Sequence, residues 1–305
     1  MIPSLPLLLA LSDAASAAEV DGANVLAMGG TANAAADDNA AVTSNPGVMG
    51  LTPRYDFAGM FRFGPNGDTE WGASVMDART TPSVAFGLAY IGGLTSPALE
   101  TAELPGYKLE DEELSLARRD HQLTAAIGVP LLDRKLSVGV SGDLLLYNRD
   151  IGGAGTSGNL NAGIGVRPVD LLVVAIAARN LVPHEGPADD PLVLGGGVRL
   201  VDEKYGILAA DLDWRAYDLL DAGALGWAAG AQGNLGKARA RLGFQVVPGS
   251  GEQRFTWGVG FASDGAALEY AMLAPVGGGV EGAGITHAAS LRFAAPDTDK
   301  GPEDF

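Results

Sequence analysis

The residues able to do chemistry are few, and their spacing argues against most of it. Three histidines, His121, His184 and His287, stand far apart, and there is no cysteine. Neither a His/Cys metal set nor a thiolate nucleophile can be assembled from neighbours in the sequence. Gly-x-Ser-x-Gly does not occur, and Ser250 between Gly249 and Gly251 reads as a loop tip. The run Gly152 to Gly158 has the glycines of a phosphate-cradling loop but neither the Lys nor the following helix, and is expected to be a surface loop.

What remains is a set of charges at alternate positions. Asp211, Asp213 and Arg215 lie two residues apart, as do Arg239 and Arg241. On a strand that spacing puts each set on one face. Paired carboxylates can act as acid and base, but catalysis would also need a nucleophile or metal set. Inside an enclosed wall, opposite charges hold wall and contents together. Asp211, Asp213, Arg215, Arg239 and Arg241 are therefore expected to form a luminal charge network, with Glu269 and Arg292 also pointing inward. No enzyme activity, cofactor or metal is expected.

The elements that carry these charges show a two-residue period. In Arg254 to Asp264, Phe255, Trp257, Val259 and Phe261 oppose Thr256, Gly258, Gly260 and Ala262. Val84, Phe86, Leu88 and Tyr90 oppose Ser83, Ala85, Gly87 and Ala89 in the same way. A soluble sandwich also alternates, but its outer face would favour Lys, Glu and Thr. Here the second face is mostly Gly, Ala and Ser, with isolated charges, as a confined lumen requires. With 44 glycines, 47% hydrophobic residues and only 19% charged ones, the composition agrees.

About fourteen strands are expected, starting near Tyr55, Thr69, Pro82, His121, Arg134, Asn159, Leu171, Leu192, Tyr205, Gly223, Ala238, Gln253, Ala267 and Ile285. Tight joins at 133–134, 168–170, 202–204, 236–237 and 264–265 alternate with longer ones at 92–120, 149–158 and 275–284. Short turns on one rim and long loops on the other are the asymmetry of outer-membrane barrels. The longest loop holds Glu100, Glu103, Glu110, Asp111, Glu112 and Glu113 and reads as solvated surface. The fold class is thus all-β: one transmembrane antiparallel barrel in the bacterial outer membrane, with lipid as its partner.

Other features fit. Ile2 to Leu11, followed by Ala15-Ser16-Ala17, reads as a signal peptide over 1–17, though no Lys or Arg precedes its apolar core. Beyond it no apolar run is long enough for a spanning helix. An exported apolar chain without such helices can satisfy its backbone in lipid by closing its strands. A net charge of −17 offers nucleic acid no basic face. Residues 55–293 would form the barrel, and 294–305 a disordered periplasmic tail.

Residues 18–54 do not alternate. Met28-Gly29-Gly30, an Ala-rich stretch, Asp37-Asp38 and Asn45-Pro46-Gly47 follow one another. Gly29 and Gly30 can adopt backbone conformations closed to other residues, and Asn45-Pro46 suits a capped turn. Asp37 and Asp38 could bond local amides or face Arg62 or Arg241. An ordinary turn and a functional gate both describe the segment.

This order of motifs resembles the N-terminal signature of the FadL-like superfamily of outer-membrane barrels. The resemblance implies a hatch folded into the lumen, with Gly29, Gly30, Asp37, Asp38, Asn45 and Pro46 plugging and gating it. Ala178 to Pro183, Pro191 to Val198 and Ala210 to Asp213 are similar to the rhythm of the PorV/PorQ-type branch. Thr286, Ala288, Leu291 and Phe293 resemble a last-strand assembly signal, with Ala288 in place of Gly. The resemblance implies first an anchor, scaffold or export partner for envelope proteins. Its alternative is passive uptake of hydrophobic small molecules. A general porin is a third reading, opposed by the segment positioned to block its lumen.

Overall fold

The computed structural model describes residues 22–36, 38–95, 118–149, 153–182, 191–202, 204–216, 223–263, 265–277 and 284–295. Fourteen strands, β1 (Tyr55–Phe63), β2 (Thr69–Asp77), β3 (Ala85–Thr95), β4 (Arg118–Leu131), β5 (Leu136–Arg149), β6 (Gly153–Val169), β7 (Leu172–Arg179), β8 (Leu192–Asp202), β9 (Gly206–Ala216), β10 (Ala224–Leu235), β11 (Ala238–Val246), β12 (Gln253–Ser263), β13 (Ala266–Gly277) and β14 (Thr286–Ala294), each pair antiparallel with the next. β14 returns to β1, with Phe57 opposite Phe293, and closes the barrel. Closure leaves no sheet edge to be solvated in lipid.

Alternation is realised along each strand. On β12, Val259 and Phe261 are more than half exposed, while Thr256 is fully buried. On β11, Leu242 is 57% exposed and the adjacent Arg241 is 2%. In a solvent-facing protein such a belt of Phe, Leu, Val and Trp would be an aggregation surface; on a closed barrel it is the lipid contact. At two lipid-side glycines an aromatic lies over the gap: Trp71 covers Gly92 and Trp214 covers Gly223.

One connection differs from expectation. The glycine run placed in a loop is strand from Gly153 onward, pairing with β5 up to Arg149. Glycine weakens a strand by its own entropy, but the fully paired β5 template supplies the ladder, and Tyr147 packs over Gly155. The acidic loop from Glu100 to Glu113 lies outside the described residues, as do 1–21 and the tail beyond Ala295.

Inside the barrel, two short helices, α1 (Ala23–Ala27) and α2 (Ala41–Ser44), and a 3-10 turn, Pro46–Leu51, occupy the lumen. Nearly every hatch residue from Ala23 to Leu51 is buried. α1 ends in a Schellman cap: Gly29 N–H donates to Leu26 O and Gly30 N–H to Val25 O. Both glycines sit at positive φ, +80° and +77°, and at Gly29 the cap requires it.

Candidate functional site

The hatch is seated on glycines. A Cβ at Gly139 or Gly163 would collide with Pro46 or Asn45, at Gly87 with Val42, and at Gly230 or Gly243 with Met28 and Gly29. These glycines lie in the luminal phase of β3, β5, β6, β10 and β11, so the small face of the wall lets hatch backbone approach at Gly139, Gly230 and Gly243 and hatch side chains at Gly87 and Gly163. Gly195 and Gly197 belong to this floor as well. β8 pairs through them with both neighbours without a register shift, and Asn33, Asp211 and Asp213 lie against them.

Polar side chains then fix the hatch at points along its path. Asp211 accepts from the amides of Ala32 and Asn33, both at 2.7 Å, through one carboxylate oxygen. Asp213 accepts from Asn33 Nδ2 at 3.0 Å and pairs with Arg179 at 3.3 Å. Arg199 donates to Ala35 O. Asn45 accepts from Gly47 N–H at 2.9 Å and donates to Asn33 O at 2.7 Å, tying the Pro46 turn to the middle of the hatch. Pro46 fills the first position of the 3-10 turn, where its missing N–H is not needed. At the far end, Arg134 donates to Gly50 O and to Ala78 O, and Arg167 to Thr52 Oγ1.

Asp38 does not meet Arg62 or Arg241. One oxygen accepts from the local Ala40 amide; the other receives Asn24 Nδ2 and Arg292 Nη1, both at 2.8 Å. Arg62 pairs with Glu70 on the adjoining strand. Near that pair, in the β1–β2 turn, burial and the neighbouring Glu70 push the Asp68 carboxyl up, while Arg62 draws it back. Asp37 lies outside the described residues.

Four of the five charges expected to form one network fall into two separate sets. Asp211 and Asp213 bind the hatch. Arg241 instead pairs with Glu269 at 2.6 Å and donates to Gln232 at 2.7 Å, and Arg239 stands 3.8 Å from Glu269. Gln232 is on the adjoining β10 and Glu269 on β13, across β12, so the second set staples wall to wall. Arg215, one inward step above Asp213, joins none of these contacts. Sequence reasoning missed Asn24, Asn33, Arg134, Arg167, Arg179 and Arg199. For Arg179 and Arg199 the luminal phase was a usable signal; for the hatch asparagines there was none.

His121 and His287 face outward and hydrogen-bond to Tyr90 and Tyr270. His184 lies outside the described residues. Among the described residues no three His, Cys, Asp or Glu gather as metal ligands.

No known family model matches the sequence, and no curated protein does either. Structural comparison is informative. The toluene transporter TbuX of Ralstonia pickettii matches with a TM-score of 0.65 at 15% identity, over 91% of this chain and 98% of its own. The monoaromatic hydrocarbon channel CymD gives 0.63 at 12%, over 90% and 98%. A mutant of the monoaromatic hydrocarbon channel TodX gives 0.60 at 13%, over 92% and 99%. The fold is that of the FadL-family hydrocarbon channels.

The chain is an outer-membrane β-barrel by its fold, and these three neighbours are a transporter and two channels. The branch suggested by the mid-chain motif is not the one these neighbours represent. That motif has a local explanation. Asn180 takes a left-handed conformation at φ +58°, accepted more readily by Asn than by most residues, and its side chain donates to Pro191 O where β8 begins.

Proposed function

We propose that this barrel is a passive transporter of small hydrophobic compounds, without enzymatic activity, with the hatch as its gate. The observation that carries the reading is a lumen filled by a hatch fastened to the wall along its length, within an architecture that three hydrocarbon channels share nearly end to end. A general porin needs a standing water path, and the seated hatch opposes one. Gly29, Gly30, Asp38, Asn45 and Pro46 shape the hatch, and Asp211 and Asp213 hold it. We assign Asp37, which precedes the Asp38 turn, to the same gate.

The test is uptake of radiolabelled toluene at limiting concentration by cells lacking other hydrocarbon channels, with and without this protein. Faster initial uptake with the protein is expected; equal rates would remove the reading.

A further inference from the structure

The hatch is not seated equally on all sides. Against β3 and β12 hatch side chains press on wall glycines, and against β5, β6, β8, β10 and β11 hatch backbone itself meets them. No separation is available there without lifting the hatch. Against β14, β1 and β2 the join is made by side chains: Arg292 to Asp38, Ser290 Oγ to the Ala23 amide at 3.3 Å, and Asn39 Nδ2 to Ser74 O at 2.9 Å. In this sector a small cavity of about 20 Å³, room for roughly one water, separates plug from wall, lined by Asn24, Asp38, Met60, Ser74, Ser290 and Arg292 among others.

Position along the strand sets the direction. β14 descends to the rim of short turns, ending at Ala294. Arg292 lies one inward step nearer that rim than Ser290, and beside Ala58 in the register. The Arg292–Asp38 pair therefore forms the periplasmic side of the cavity. Its side chains are 14% and 5% exposed.

We infer that a route through the barrel toward the periplasm opens along this seam, and that Arg292 with Asp38 and Asn24 is the latch across it. A long guanidinium side chain can swing off a carboxylate by rotamer changes, whereas a backbone seated on glycine moves only with its whole segment. Opening at this sector leaves the Asp211 and Asn45 attachments in place. The hatch then stays inside the barrel while the sector beside it opens.

The latch deepens the transport reading and rests on it for what the route carries. It is tested with ions and a thiol reagent, so a failure of hydrocarbon uptake and a failure of the latch are separate results. Because the chain has no cysteine, a single introduced thiol reports its own site. Ser290→Cys lines the cavity; Ala175→Cys, on the luminal face of β7, is the sealed control.

A small cationic methanethiosulfonate should modify Ser290→Cys in the folded barrel about tenfold faster than Ala175→Cys. Arg292→Ala should speed that reaction further and raise potassium chloride current across a planar bilayer. Arg292→Gln, which keeps the length without the charge, should do the same and serves if the alanine variant does not fold. Equal protection of the two thiols would overturn the route. Unchanged labelling and current in a folded Arg292 variant would overturn the latch.

Discussion

Asp211 offers one oxygen to two adjacent hatch amides, an arrangement in which a wall residue replaces the hydrogen bonds that a lumen-filling loop cannot make to itself. Removing it leaves two buried N–H groups without that acceptor, at about 1–3 kcal/mol each. Asp211→Ala should therefore lower stability by about 3 kcal/mol. It should also make the segment near Ala32 sensitive to protease in detergent, while Asp211→Asn, which keeps an acceptor oxygen, loses less. A cleavage pattern identical to that of the parent would contradict this role. Asn45 works differently. Its amide serves its own turn and the hatch turn at Asn33, and it reaches the wall at Ile176 O over 3.4 Å.

At the scale of the element, each strand is two surfaces in one sequence. Gly142 and Gly163 show the difference. Gly163 lies in the luminal phase of β6, and a side chain there strikes Asn45. Gly142 lies in the lipid phase of β5, where a Cβ would meet Leu160 at 3.7 Å and the Asn159 carbonyl at 3.9 Å, both ordinary contacts. Gly163→Val should unseat the hatch, at about 1–3 kcal/mol of overpacking, and expose it to protease with the barrel still closed. Gly142→Val should be tolerated, because it adds a β-branched side chain to the lipid face. Limited proteolysis of both folded variants checks the pair, and equal hatch cleavage would contradict the assigned phases. The strand phases could be read from single segments such as Arg254 to Asp264. The glycine run at 153–158 could not, because its strand character comes from pairing with β5 rather than from its own residues.

For the whole molecule, closure of β14 on β1 makes stability cooperative around the ring. The unboiled protein should run as a compact fast band in a denaturing gel and shift to its full apparent mass on boiling; a single band in both lanes would count against a closed barrel. The hatch adds a second requirement, since it must fold within a lumen formed by strands that follow it in the chain. Its attachments are correspondingly remote: Ala23 bonds to Ser290, Thr256 to Ala27 O, and Asp38 to Arg292.

That remoteness separates what could be read from the sequence from what could not. Alternation, strand number, rim asymmetry and the distinct character of the hatch segment were legible, because each follows from backbone geometry acting over a few residues and from the contrast between lipid and lumen. The division of luminal charges was not. Arg241 and Asp211 share the inward phase and differ only in what lies opposite, Glu269 for one and the hatch amides for the other. Which partner each meets depends on the register around the closed ring and on the path of the hatch through it. Both are set by contacts between residues far apart in the chain, and only the folded barrel brings them together.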